Sequence, residues 1–221
     1  FCGFGINTDN ILRYQIGATT GAHRFYAAIS SSASNEIFTI LGNGNVGIGR
    51  ANPNAPLQLG NINANRKIVL WENGNNDHQF YGFGIEGGTT GNLRYQTAAG
   101  AHVFYTAVST TVSQEILRMT KEGFVGIDMT TPHAPLHFSN EYVNRKIVLR
   151  EEFNDDHQFN GFGLNSSNNL RYQVHGVSGT HVFYTGIDST TSNELVRITG
   201  TGFVGIGRSV PNAPLQLGNI I

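Results

Sequence analysis

Apolar positions in this chain alternate with polar ones over runs of five to eight residues, and no stretch holds a helical period between caps. Residues 64–142 show the pattern well. Lys67–Glu72 is a β-branched run, and Gln79–Glu86 is aromatic and rich in glycine. Leu93–Thr97 and His102–Val108 are joined through Ala-Ala-Gly, a hairpin signal. Glu115–Thr120 and Phe124–Asp128 flank Lys-Glu-Gly, which suits a three-residue hairpin with Gly123 in the left-handed region. Gly44 and Gly202 hold the same place elsewhere in the chain. Ala134–Ser139 follows a Pro-x-x-Pro segment, whose prolines confine it to a sheet edge or keep it out of regular pairing. A Gly-Gly-Thr-Thr-Gly-Asn turn is expected at 87–92. The pattern predicts an all-β fold of about seven short strands per 79-residue unit.

That unit recurs. Phe-Cys-Gly-Phe-Gly-Ile at 1–6 returns as Phe-Tyr-Gly-Phe-Gly-Ile at 80–85 and Phe-Asn-Gly-Phe-Gly-Leu at 159–164. Leu-Arg-Tyr-Gln, Val-Gly-Ile and Pro-x-Ala-Pro-Leu each occur three times, and a Phe-Tyr pair recurs at 25–26, 104–105 and 183–184, mostly 79 residues apart. Only the loop before Leu-Arg-Tyr-Gln changes length, as an exposed turn does. The repeats divide the chain at 1–63, 64–142 and 143–221, the first copy lacking its start and the third nearly complete. A chain that starts and stops inside a repeat is expected to be a piece of something longer.

Composition sharpens this picture. Charged residues are only 13 % of the 221, against about a quarter in ordinary domains. Glycine (28) and asparagine (24) fill the gap, and both tolerate the positive φ of tight turns. The net charge of −1, without a basic block, gives no pull toward nucleic acid, and no apolar run is long enough for a membrane helix. One cysteine, Cys2, rules out an internal disulfide framework, and its counterparts Tyr81 and Asn160 favour a plain strand residue. A unit with so few bulky aliphatics buries little by itself and needs neighbours, along the chain or from other chains.

The string Gly-Asn-Val-Gly-Ile-Gly-Arg-x-x-Pro-Asn-Ala-Pro-Leu-Gln-Leu at 44–59, with partners at 123–138 and 202–217, resembles a motif of bacteriophage tail fibres. It is also similar to segments of trimeric bacterial surface fibres and adhesins. The resemblance implies an elongated homotrimeric β-fibre, extracellular or on a virion. The middle copy has Asp128 in place of the second Gly, which leaves open whether it makes the same turn.

The candidate chemistry is sparse. His23, His102 and His181 share one repeat position, and His78 and His157 share another after Asp77 or Asp156. Three copies of one His around a threefold axis would supply a metal site, but hydrogen bonding in strands and turns is the favoured reading. Glu36, Glu115 and Glu194 recur, as do Arg13, Arg94 and Arg171, and a cross-strand or interchain Arg–Glu pair is their simplest account. The Arg-Lys pairs at 66–67 and 145–146 are likewise expected to meet acids of a neighbour. Trp71 beside Asn73, Asn75, Asn76 and Asp77 has the aromatic and amide groups of a glycan contact. Arg150 replaces Trp71 in the next copy, so a polar turn beside a strand aromatic competes with that reading.

Together these features lead us to expect a structural fibre shaft that displays a binding tip, with no catalytic residues, cofactor or resident metal. Its expected partners are copies of itself and surface glycans, with no nucleic acid and no membrane insertion. Multivalent carbohydrate-binding repeats and a head-to-tail extracellular filament are the alternatives.

Overall fold

The computed structural model describes residues 2–86 and 91–218, so positions 87–90 of the expected 87–92 turn lie outside the described residues. The described residues are all-β: strands, turns and irregular segments, without a helix. They gather into two units, 1–101 and 102–221, each with its own sheets.

In the first unit, β1 (Gly3–Ile6) and β2 (Leu12–Gln15) form an antiparallel pair. Next come β3 (Ala22–Ala28), β4 (Ser34–Leu41), β5 (Val46–Ile48) and β6 (Leu57–Leu59), a four-stranded sheet in chain order. A three-stranded sheet of β7 (Ile68–Glu72), β8 (Phe80–Ile85) and β9 (Leu93–Gln96) completes it. The second unit opens with the four-stranded sheet β10 (His102–Ala107), β11 (Ser113–Met119), β12 (Val125–Ile127), β13 (Leu136–Phe138). It continues with three-stranded β14 (Ile147–Glu151), β15 (Phe159–Leu164), β16 (Leu170–Gln173). It ends with four-stranded β17 (Thr180–Gly186), β18 (Ser192–Thr199), β19 (Val204–Ile206), β20 (Leu215–Leu217).

Each four-stranded sheet is antiparallel except at its last strand, which runs parallel to its neighbour. Residues 49–56 make that connection, shorter than the dozen or more residues a parallel crossover usually takes. The segment succeeds by crossing directly over the strand it leaves. The carbonyl of Arg50 sits 2.0 Å from where a Cβ on Gly47 would be, and the Met129 and Arg208 carbonyls stand 2.2 Å from those on Gly126 and Gly205. Only glycine fits beneath such a crossing. The Val46 N–H donates to Pro56 O at 2.9 Å and the Asn45 amide to Pro53 O at 3.1 Å, which ties the crossover down.

The preceding hairpins have Gly44, Gly123 and Gly202 at φ 93°, 88° and 88°, as their sequence requires. The second glycine of Val-Gly-Ile-Gly is also left-handed: Gly49 and Gly207 have φ 64°, and Asp128 has φ 51°. All three donate their N–H to the same kind of carbonyl, on Ile37, Ile116 and Leu195. The middle copy therefore makes the same turn with an aspartate, at the cost of backbone strain. Those three carbonyls belong to bulged residues, because the register slips between Phe25 and Tyr26, Phe104 and Tyr105, and Phe183 and Tyr184.

Side-chain alternation gives every sheet two unlike sides. On β8, Phe80, Gly82 and Gly84 are buried while Tyr81, Phe83 and Ile85 are not. The chain entering β7 lies over the glycine side, placing Asn65 O 1.8 Å from a Cβ on Gly84, and Asn144 O stands 1.7 Å from one on Gly163. Among the described residues Phe80 and Phe159 are the fully buried apolar side chains. Arg66 lies 5.9 Å from the Phe80 ring centre and Arg171 5.8 Å from that of Phe159. We call this covered side sealed and the opposite side open.

Candidate functional site

The open sides are the most distinctive surfaces of the molecule. Register places Phe25, Phe38, Ile48 and Leu59 in one row across the first four-stranded sheet, and His23, Ile40, Val46 and Leu57 in the next. The corresponding first rows in the second unit are Phe104, Leu117, Ile127, Phe138 and Phe183, Val196, Ile206, Leu217. All these positions but the histidine are apolar. No described residue covers them fully: Phe25, Phe104 and Phe183 are 49 %, 51 % and 51 % exposed. On the three-stranded sheets the open side carries Ile68, Phe83 and Tyr95, or Ile147, Phe162 and Tyr172.

Neighbouring open sides are joined by aromatic contacts. Phe4 stacks on Tyr14 at 4.5 Å, and Tyr14 meets His23 at 4.4 Å, linking the two-stranded sheet to the four-stranded one. Phe162, Tyr172 and His181 repeat the relay at 5.0 and 4.5 Å. The Nδ1 of His181 is closed to solvent and has no hydrogen-bond partner. Leu59, Ile62, Phe83, Ile85 and Leu93 also line an open trough of about 570 Å³.

In the four-stranded sheets charge is confined to the sealed sides and the turns, whereas in β14 Arg150, opposite Asn160, lies on the open side. The bulge moves Glu36 off the apolar row and onto the face of Arg24 and Thr39, which sit directly opposite each other. Glu36 accepts from the Thr39 hydroxyl at 2.6 Å and pairs with Arg24. In the later copies the arginine has changed strands. Val103 faces Arg118 and Val182 faces Arg197, and these arginines grip Glu115 and Glu194 with two bonds each, at 2.6–2.8 Å. The expected partners Arg13, Arg94 and Arg171 are not the ones used; each reaches along its own strand to Gln15, Gln96 or Gln173. The Thr39 hydroxyl and then Arg24 hold the Glu36 carboxyl below its usual range, and Arg118 and Arg197 do the same for Glu115 and Glu194. A general acid at neutral pH needs the opposite shift.

The Arg-Lys pairs also find partners within the chain. Arg66 bonds Asn75 Oδ1 at 2.8 Å and pairs with Glu72, and Arg145 bonds Asn154 and pairs with Glu151. Lys67 and Lys146 donate to the Gly60 and Ser139 carbonyls. This arrangement bears on the glycan candidate. Asn75 is engaged by Arg66, and Asn76 Oδ1 accepts the N–H groups of His78 and Gln79 at 2.9 and 2.8 Å, holding the turn. The Asn73 N–H donates to Gln79 O. Trp71 remains half exposed against Tyr81, with ring centres 5.3 Å apart, while Asp77 borders a separate polar hollow.

Histidines enter local contacts. A search for metal-ligand spacings along the sequence returns no His-x-x-x-His, yet one is present at His133–His137. There the His133 N–H donates to His137 Nδ1 at 3.2 Å, where Gln58 and Gln216 serve in the other copies. His175 pairs with Glu152 at 2.6 Å. Among the described residues no three His, Cys, Asp or Glu side chains converge as metal ligands. Cys2 is exposed, its sulfur accepting from Gly17 N–H at 3.2 Å.

No protein-family model matches this chain, and no curated protein matches it significantly. The functional reading therefore rests on the surfaces themselves.

Proposed function

We propose that this chain is a structural shaft segment of an extracellular or virion fibre, in which identical copies, most simply three, associate to hold a binding tip away from a surface. The observation that carries the reading is the set of open apolar sheet sides, repeated at matching positions. A folded body of 24.0 kDa exposes about 9,900 Å², or about 12,000 Å² if divided into two equal bodies. This chain exposes 15668 Å². The excess of about 3,700–5,700 Å² is the scale of an obligate interface, about 2,000–5,000 Å² or more. The resemblance of the Val-Gly-Ile-Gly segments to tail-fibre and adhesin repeats supports the same reading.

The test is molar mass by light scattering after size exclusion, with sedimentation to report shape. Three times the chain mass with a high frictional ratio is expected, and the mass of one chain at every concentration would refute the shaft. A mass that climbs steadily with concentration would indicate a head-to-tail filament instead. Carbohydrate binding has its own support in the exposed Trp71–Tyr81 pair beside the polar turn. In that reading Trp71→Ala abolishes retention on a glycan array.

A further inference from the structure

We infer that the open sides of the sheets, joined by the Phe–Tyr–His relays, are where copies of this chain meet, and that the arginine–glutamate sides face away from that contact. The inference rests on the shaft reading and assigns its interface to particular residues.

Three observations carry it. The first is that the open rows stay apolar and part exposed in all three four-stranded sheets. Phe25, Phe104 and Phe183 agree within two percentage points, as do Ile29, Val108 and Ile187 at 62 %, 61 % and 60 %. An exposed phenylalanine under no constraint has no reason to persist at one register in three sheets. The second is what the fold does with charge. Without its bulge, Glu36 would lie two residues from Phe38 on the same side. The bulge transfers it to the sealed side, and the same slip recurs in both other four-stranded sheets. The open rows are thereby cleared of carboxylates, and depletion of charge marks the core of a protein interface.

The third observation is the arginine that changes strands. Arg24 opposite Thr39 becomes Val103 opposite Arg118 and Val182 opposite Arg197, and in each case the glutamate keeps its cation. A pair satisfied inside one chain by either strand needs nothing from a neighbour. This removes the sealed side as the candidate for interchain ion pairs and leaves the open side. The occupant that fits is another copy. An extended apolar side of constant composition needs an equally extended apolar surface, and the area in excess matches what each member of a closed ring would lose.

Cysteine labelling tests the assignment. In a Cys2→Ser background, Phe104→Cys and Ile206→Cys place thiols on two open sides, and Lys121→Cys places one in an exposed turn. Molar mass is measured on the same samples. Since Phe104 and Ile206 are about half exposed in one chain, an unassembled protein labels all three at comparable rates. The inference expects multimeric mass with maleimide reaction at Phe104→Cys and Ile206→Cys slowed about tenfold or more relative to Lys121→Cys. Multimeric mass with fast labelling at both open positions would overturn the face assignment and leave the shaft standing. The mass of a single chain for the Cys2→Ser parent would remove the shaft reading, and this inference with it. Should Phe104→Cys alone fail to assemble, Ile206→Cys decides.

Discussion

The two kinds of phenylalanine in this protein should respond differently to truncation. Phe159 is fully buried within its own chain, beneath Arg171 and beside the tight glycines of β15, while Phe183 is 51 % exposed on an open side. Phe159→Ala removes a whole ring from a packed site, a change that costs about 3–5 kcal/mol. At about 2–4 °C per kcal/mol for a chain of this size, Tm falls by about 6–20 °C, by the same amount at every protein concentration. Phe183→Ala in an isolated chain loses only half of the burial free energy, about 1 kcal/mol. In an assembly that covers Phe183 the loss rises to that of a core residue, so its effect on Tm grows with concentration as mass action populates the assembly. The assay is thermal unfolding followed by circular dichroism over a hundredfold range of concentration. A shift under about 2 °C for Phe159→Ala would mean that the sealed side is not a packed core. A small shift for Phe183→Ala at all concentrations would mean that the open side stays open.

Three further outcomes are expected. Asp128→Gly relieves a left-handed aspartate and raises stability by about 1 kcal/mol, whereas Gly126→Ala places a methyl 2.2 Å from Met129 O and costs at least about 1–3 kcal/mol; urea titration reads both. Arg24→Val and Thr39→Arg each lower Tm alone, but the double variant, which recreates the arrangement of Val103 and Arg118, returns close to the parent; additive losses would refute a transferable pair. Asp188 is held at about 2 by the N–H of Thr190 and neighbouring donors, and Glu36, Glu115 and Glu194 are also depressed. Because folded values lie below unfolded ones, their stabilisation is complete above the unfolded carboxyl range near pH 4 and fades as pH falls toward about 2. Asp188→Ser, which copies Ser30 and Ser109, should flatten the lowest part of the Tm–pH curve, and an unchanged curve would sink the assignment.

All seven strands expected between 67 and 139 are present, each within two residues of its expected start, because alternation with glycine punctuation is a local signal, but the hairpin expected of Leu93–Thr97 and His102–Val108 does not form, since β9 and β10 belong to different sheets. The turn glycines were legible for the same reason. What alternation alone does not reveal is which side is covered. That depends on the Arg50 and Asn65 carbonyls crossing overhead, and the only trace in the sequence is glycine inside the strands at Gly47 and Gly84. Recurrence in all three copies points to Arg13, Arg94 and Arg171 as the partners, whereas the true partner sits on β3 in the first copy and on the second strand of the sheet in the other two. The parallel closing strand was also hidden, since so short a connection ordinarily implies an antiparallel return.

That closing strand also decides how a sheet carries tension. In β3 through β6 the first and third strands run one way, the second runs back, and the fourth runs with the third. The chain thus enters at one end of the sheet and leaves at the other, as it does in the three-stranded sheets by virtue of their odd number. A fourth strand in the usual hairpin sense would bring the exit back beside the entrance, and a pull on the two would peel the sheet open one rung at a time. With the parallel crossover the same pull runs along the strands as shear. The rungs of the ladder then bear the force side by side, and the sheet yields only when many of them fail together.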